Sequence, residues 1–131
     1  MNKLIVIPLI IIFFLRQIIV LNANDDTYIN TSNITYDEKN NIVELAENSK
    51  ININDTNILI DKGIIDYNND TIEIFGNFYL YQEFNILSGK NLVGNNSLTT
   101  FTTSEVSYIY NNDLKIDSDR AVRSDEIVTF Y

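Results

Sequence analysis

Beyond residue 26 the chain alternates apolar and polar residues with a period of two, the pattern of β-strands with one buried face. In one such run Val43, Leu45, Ser49, Ile51 and Ile53 share a parity, and mostly charged or amide side chains separate them. No window of this region shows the 3.6-residue period of an amphipathic helix. The pattern therefore predicts an all-β protein.

Two glycines interrupt the alternation and predict irregular positions in the strands. Ile58 and Ile60 precede Gly63 on one parity, whereas Ile65 follows it on the other. A glycine at a change of parity indicates a β-bulge, because the extra residue needs a backbone conformation that other residues resist. Gly76 interrupts the run over residues 72–80 and is a second predicted bulge or turn residue.

Turn-forming clusters separate the strands, and a longer repeat underlies them. Sequences such as DEKNN, YNND and SGKN are rich in Asn, Asp and Gly and recur about every 8–12 residues, which is typical of a sandwich, roll or barrel. Residues 43–51 align with residues 72–80 at an offset of 29, with Tyr36 and Tyr67 placed before turns whose lengths differ by two. A weaker third copy is predicted to begin at Tyr110. Repeats of this kind imply hairpins that each cover a neighbour's edge.

Charge and composition exclude several classes of function. The chain has 9 Lys and Arg against 18 Asp and Glu, and two of the cations, Lys3 and Arg16, lie in the first 20 residues. So acidic a protein repels polyanions, so we expect no nucleic acid partner. It contains neither Cys nor His, which removes disulfides, thiol nucleophiles, common zinc sites and histidine bases. We expect a non-enzyme without catalytic residues, metal or cofactor.

The first 23 residues are predicted to be a signal peptide, helical in its apolar part. Lys3 provides a positive start, residues 4–15 are apolar, and the LNA sequence at 21–23 ends in a small residue. A retained membrane anchor is the alternative, although Pro8 and Arg16 interrupt the borderline apolar stretch of residues 4–21. Either segment exports the rest of the chain, residues 24–131, which forms one domain.

Two groups of acidic residues are candidates for a metal or acid/base site. Asp66, Asn68 and Asp70 have the spacing of a calcium loop, but Thr71 stands where glycine is required, so a hairpin turn is favoured. The carboxylates at 113, 117 and 119 are interpreted as a solvated turn and strand end.

The inward apolar face is the remaining candidate for a function. It is either an ordinary core or the lining of an apolar groove that accepts lipid chains, and the pattern leaves both open. Phe75, Tyr79 and Tyr81 lie on the opposite parity and are predicted to face outward, where they could meet a partner. The groove candidates are Val43, Leu45, Ile51, Ile53, Ile58, Ile60, Ile65, Ile72, Ile74, Phe78 and Leu80.

A phrase of a Tyr-Asp turn followed by a strand that contains Gly-Asn is matched by Tyr36-Asp37, Tyr67 and Gly76-Asn77. Through these residues the chain over 28–131 resembles the OstA-type β-jellyroll of lipopolysaccharide transport proteins. Glu47 replaces the usual glycine in the first copy. The tail over residues 101–131 is most similar to the N-terminal periplasmic part of LptD, the lipopolysaccharide assembly protein of the outer membrane.

The resemblance implies a Gram-negative periplasmic lipid conduit built as a twisted roll of stacked antiparallel hairpins. Lipopolysaccharide acyl chains would slide along the apolar interior, and other β-jellyroll subunits would stack on the edge strands. An LptD-like chain would also meet the outer-membrane barrel and its partner lipoprotein, and this chain would then be truncated at its C-terminus.

Two other functions are compatible with the sequence beside the LptD-like interpretation. One is a bridge or membrane-anchored subunit of the same pathway, like LptA or LptC. The other is a β-sandwich interaction domain with a filled core and no lipid.

Overall fold

A computed structural model of the protein describes residues 27–31 and 33–131, so the predicted signal peptide or anchor over residues 1–23 lies outside the described residues. No helix in the described part is long and apolar enough to cross a bilayer. The described residues form ten strands, which confirms the all-β prediction: β1 Thr27–Asn30, β2 Ile34–Asp37, β3 Ile42–Leu45, β4 Ser49–Ile53, β5 Thr56–Asp66, β6 Thr71–Gln82, β7 Asn85–Gly94, β8 Thr100–Tyr110, β9 Leu114–Ser124 and β10 Ile127–Phe130.

The strands form a single antiparallel sheet. The first half of β5 pairs with β4 and its second half with β3, so β3 and β4 lie in line as one interrupted row. In the same way β1 pairs with β4 and β2 pairs with β3. From β5 to β10 each strand pairs with the next along the chain. The sheet ends in two edges, which are β1 with β2 on one side and β10 on the other.

A line of irregular residues crosses the middle of the sheet, and we call it the bulge line. It consists of Asn48, Gly76, Asn91 and Glu105, whose φ angles are 60°, 84°, 53° and 48°. The last three lie where the register shifts in the ladders between β5 and β8. Bulges bend strands and increase their twist, so this line curls the sheet around its apolar face.

Side chains hold the bulge line together. The carboxylate oxygen Oδ2 of Asp61 accepts hydrogen bonds from the backbone N of Asn77 at 2.8 Å and from its Nδ2 at 3.0 Å. The backbone N of Gly76 donates to Oδ1 of Asn91 at 3.0 Å. Lys90 and Glu105 form an exposed ion pair at 2.6 Å. Side chains of β5 and β7 therefore satisfy the backbone N–H groups that the bulge of β6 leaves unpaired.

Gly63 is not the bulge residue that the sequence predicted. The change of parity occurs as expected, because Ile60 and Ile65 are both buried, but the register shift lies between Ile60 and Lys62. Gly63 itself pairs regularly with Ile74. A Cβ at Gly63 would come within 2.8 Å of the Cδ1 atom of Ile60, so close packing explains the glycine here. At Gly76 the predicted bulge and the left-handed backbone coincide.

The turn after β5 is built around the carboxylate of Asp66. Its Oδ1 accepts hydrogen bonds from the backbone N of Asn68 at 2.9 Å and of Asn69 at 3.0 Å, and its Oδ2 accepts one from Nδ2 of Asn69 at 2.7 Å. The hydrogen bonds from Asn69, side chain first, lower the pKa of Asp66. The sequence over 66–70 thus forms a hairpin turn, as expected.

The turn after β2 has the same construction around Asp37. Its carboxylate accepts hydrogen bonds from the backbone N of Asn40 at 3.2 Å and from Nδ2 at 2.7 Å, and its pKa is lowered for the same reason. The two turns also touch: the backbone N of Tyr67 donates to the carbonyl of Asn41 at 3.1 Å. Nδ2 of Asn68 donates to the carbonyl of Asn40 at 2.9 Å. These turns therefore form a continuous polar border of the sheet.

We expect Asp66→Ala to lower the melting temperature at neutral pH, because two backbone N–H groups lose their acceptor. The pKa of Asp66 is depressed in the folded state, so its stabilisation is present above the unfolded pKa and is lost as pH falls through the folded value. The difference from the wild-type protein should be full at pH 7 and vanish well below about pH 4. Thermal unfolding across this pH range measures it. A difference independent of pH would contradict the assignment.

The third copy of the repeat begins at a different residue from the one that the sequence predicted. Strands β3, β6 and β8 begin at Ile42, Thr71 and Thr100, each 29 residues after the previous one. The predicted third copy at Tyr110 is therefore wrong, since the turn after Tyr110 lies at the opposite border of the sheet from the turn at Asp66. The predicted equivalence of Tyr36 and Tyr67 is also wrong. Tyr36 precedes the acidic turn residue, whereas Tyr67 follows it, and the two turns have equal length.

Candidate functional site

The inward side chains of β3 to β9 meet in one apolar cluster inside the curled sheet. All of the predicted groove candidates belong to it, and none exposes more than 7% of its surface. The cluster consists of Val43, Leu45, Ile51, Ile53, Ile58, Ile60, Ile65, Ile72, Ile74, Phe78, Leu80, Leu87, Leu92, Leu98, Phe101, Val106 and Ala121.

The middle of this interior is filled. Phe78, Ile58 and Ile72 are among its fully buried members, so these positions form a packed core and no open channel passes through them. Two buried polar residues, Ser49 and Thr103, carry no charge. The Ser49 hydroxyl donates to the carbonyl of Ala46 at 2.6 Å, and the Thr103 hydroxyl donates to the carbonyl of Lys90 at 3.0 Å. The described interior thus presents a hydrocarbon surface.

One side of the interior opens into a cavity of about 170 Å³. Of the groove candidates only Leu80 lines it, together with side chains that the sequence pattern does not mark as inward. Ser and Thr interrupt the apolar alternation in β7 and β8, so the inward residues of these two strands could not be recognised from the pattern. The cavity is lined by Thr56, Leu80, Gln82, Asn85, Leu87, Phe101, Tyr108, Arg123, Glu126 and Val128. It therefore joins β5, β6 and β7 to β8, β9 and β10 across the roll.

Aromatic residues form one wall of the cavity, and charged residues lie at its rim. The ring of Tyr108 stacks on Phe130 with centroids 5.6 Å apart. Burial, and after it the proximity of Tyr110, raises the pKa of Tyr108, so its hydroxyl stays neutral. The guanidinium Nε of Arg123 donates to the carbonyl of Asp125 at 2.8 Å. This arrangement suits a ligand with an apolar body and a polar end.

Large apolar side chains are also exposed on the outside of the roll. Phe75, Tyr79 and Tyr81 point outward, as their parity predicted. The rings of Tyr79 and Tyr81 stack with centroids 6.2 Å apart. Tyr79 and Tyr81, together with exposed residues of other strands and turns, form a patch that we call the outer aromatic corner, defined as Tyr28, Leu59, Tyr79, Tyr81 and Phe84.

Asp117 and Asp119 lie on β9 and contact near neighbours. Lys115 pairs with Asp117 at 3.0 Å, and hydrogen bonds from Lys115 and Ser107 lower the pKa of Asp117. The backbone N of Asp119 binds the carbonyl of Tyr131 at the edge of the sheet. No group of three or more His, Cys, Asp or Glu side chains suited to a metal ion occurs among residues 27–31 and 33–131.

Comparison with known proteins identifies the fold. No family model matches the chain, and no curated protein matches it. Among solved structures it is similar to LptH of Pseudomonas aeruginosa, described as the LptA homologous periplasmic component of the conserved lipopolysaccharide transport device. The TM-score is 0.69 at 11% sequence identity, and the match covers 82% of each chain. At this identity the likeness establishes the fold, which is the β-jellyroll that the sequence predicted.

Proposed function

We propose that this β-jellyroll is a periplasmic lipid conduit that shelters the acyl chains of lipopolysaccharide in its apolar interior. The observation that carries the proposal is the cavity between the two sides of the roll, where Leu80, Leu87, Phe101 and Val128 offer hydrocarbon surface to a ligand. The likeness to LptH supports it, since that protein is a component of a lipopolysaccharide transport device.

The volume of the cavity limits the size of the ligand that this conformation can hold. Sheltering one methylene from water is worth about 0.8 kcal/mol, so an acyl chain crosses an aqueous compartment only inside an apolar cover. The volume of about 170 Å³ is close to that of an apolar cavity that takes up one benzene molecule, roughly 150 Å³. The cavity therefore admits a short hydrocarbon segment, and a whole acyl chain requires the roll to open further.

The edges of the sheet suit stacking on other β-jellyroll subunits. The edge strands β1, β2 and β10 each leave one row of backbone groups without a partner among the described strands. Strand addition satisfies such groups and would extend the apolar interior into the next subunit.

The place of the chain within the transport pathway is part of the same proposal. The tail over residues 101–131 favours an LptD-like unit that delivers lipid to the outer-membrane barrel and its partner lipoprotein. The likeness to LptH favours a bridge subunit of the LptA kind at least as well. Retention of residues 1–23 as an anchor would make it LptC-like, whereas cleavage would leave residues 24–131 as a periplasmic domain.

A second candidate function is an interaction domain without lipid. The filled centre of the roll and the exposed outer aromatic corner favour this alternative, because a packed β-sandwich also buries its core and binds partners on its surface.

Photo-crosslinking distinguishes the two candidates. A photoreactive phenylalanine derivative at Tyr108, which lines the cavity, is expected to form adducts with the acyl chains of lipopolysaccharide. The same residue at Phe75, on the outer face, is the matched control and should give none. Mass spectrometry reads the adducts. A folded protein that crosslinks at neither position, or equally at both, would favour the interaction domain.

A further inference from the structure

The exposed aromatic residues are concentrated at one border of the sheet. In the described residues seven aromatic side chains are exposed, and five of them lie at the border with the turns after β4, β6 and β8. The other border carries the polar turns around Asp37 and Asp66. Of the exposed aromatics only Phe75 and Tyr131 lie away from the first border.

The register places Leu59, Tyr79 and Tyr81 on the adjacent strands β5 and β6. Tyr28 lies on β1, and β4 with its polar Lys50 and Asn52 separates it from β5. Tyr28 of β1 stands opposite Asn52 of β4. Asn57 of β5, the next strand, stands opposite Tyr81 of β6. Leu59 stands directly opposite Tyr79. Successive strands are about 4.8 Å apart, so the patch from Tyr28 to Tyr81 spans roughly 14 Å.

The chain enters the sheet beside this corner. Strand β1 begins at Thr27, which pairs with Ile53 at the end of β4. Ahead of it residues 4–15 are apolar, and residues 16–26 between them and Thr27 bridge at most about 39 Å. Retention of residues 1–23 as an anchor would therefore tie a membrane segment to the border that carries the exposed tyrosines.

We propose that the outer aromatic corner rests on the headgroup region of a lipid bilayer. Tyrosine suits this position because its ring is apolar and its hydroxyl remains hydrated, which explains its enrichment at membrane interfaces. The turn residues Asp55 and Glu83 flank the patch and are exposed. Carboxylates repel anionic lipids, so the corner selects a bilayer of zwitterionic lipids.

Docking at this corner brings the cavity close to the membrane. Thr56, Leu80 and Gln82 line the cavity and alternate with outward residues of the same strand ends. Uptake of lipid from the bilayer into the cavity follows only if the proposed conduit function holds, whereas the docking itself is independent of it.

The test uses the full chain, which contains no tryptophan. Tyr81→Trp places a single fluorophore in the corner, and Val93→Trp places one at the opposite border, where Val93 is 53% exposed. Each variant is mixed with vesicles of brominated phosphatidylcholine, without lipopolysaccharide. We expect the tryptophan at 81 to lose about half of its emission and the one at 93 less than about a tenth, since bromine quenches only at contact distance within the bilayer.

Two further arms and a measurement without vesicles make the outcome decisive. Phe84→Trp, in the turn, repeats the measurement at a position with no packing role and should behave like Tyr81→Trp. Replacing half of the lipid by phosphatidylglycerol should weaken the quenching. Equal quenching at positions 81 and 93, quenching at neither, or a blue shift at 81 that appears without vesicles as the chain dimerises would each overturn the proposal. A failure of crosslinking at Tyr108 would not affect this result.

Discussion

Phe78→Ala is expected to lower the free energy of unfolding by about 3–5 kcal/mol, because it removes a fully buried ring from the centre of the roll. Phe78 stands opposite Ile60 on one side and Gly89 on the other. Its Cζ lies 3.1 Å from the position of a Cβ on Gly89, so the ring fills the space that this glycine leaves.

Urea unfolding followed by circular dichroism measures this loss. Domains of this size have total stabilities of about 5–15 kcal/mol, so the variant is expected to be partly unfolded at room temperature or to melt roughly 15–30 °C lower. The matched control is Tyr79→Ala, the next residue, which is 43% exposed on the outer face. It should change the stability by less than about 1 kcal/mol. Equal losses at both positions would show that the assignment of the two faces is wrong.

Gly76→Ala is expected to be the second most damaging substitution, at about 2–4 kcal/mol, from left-handed backbone strain and lost hydrogen bonds. Gly76 has a φ of 84°, and a Cβ there would lie 2.7 Å from Oδ2 of Asp61. That oxygen accepts both hydrogen bonds from Asn77. Displacing Asp61 therefore leaves the bulge of β6 without its acceptor.

Glu105→Gly is the matched control for the bulge line. Glu105 has a φ of 48°, so glycine relieves strain here, while the lost ion pair with Lys90 is exposed and worth little. The stability should stay within about 0.5 kcal/mol of the wild-type value. The same thermal unfolding experiment compares both variants. A destabilisation by Glu105→Gly as large as that by Gly76→Ala would indicate that the left-handed backbone is not what matters at these sites.

The fold could be predicted from the sequence where large apolar residues occupy alternate positions of a strand. Val43 to Ile53 and Ile72 to Leu80 alternate cleanly, and each inward residue predicted there is buried. The turns at Asp37 and Asp66 were also readable, because Asp and Asn at these spacings satisfy their own backbone. Local chemistry was sufficient in both cases, since each pattern depends on residues within one hairpin.

The C-terminal half was harder to predict because its inward positions are chemically mixed. Gly89, Thr103 and Ala121 face the interior beside Leu92 and Val106, so apolar character does not mark the buried parity. The parity also changes across the bulge line in β7 and β8. Nothing in a short window of sequence reveals such a change when the residue concerned is Asn91 or Glu105 and not glycine.

The cavity could not have been predicted from periodicity at all. Its walls come from strands that are far apart in the sheet, since Leu80 belongs to β6 and Val128 to the edge strand β10. Their meeting depends on the accumulated twist of the sheet and on the bulge line. A sequence pattern fixes which face of a strand is apolar, but the closure of the roll is a property of the whole sheet.

The constant spacing of β3, β6 and β8 has a consequence for how such proteins change size in evolution. Duplicating the 29-residue segment 71–99 would add one complete hairpin and keep the apolar face and the bulge in phase with their neighbours. No compensating substitution in the interior is required, because the new unit meets the same surfaces that the old one did. Lengthening the sheet by one hairpin is thus a single genetic event. An insertion of another length would turn the apolar face outward or shift the bulge out of the bulge line.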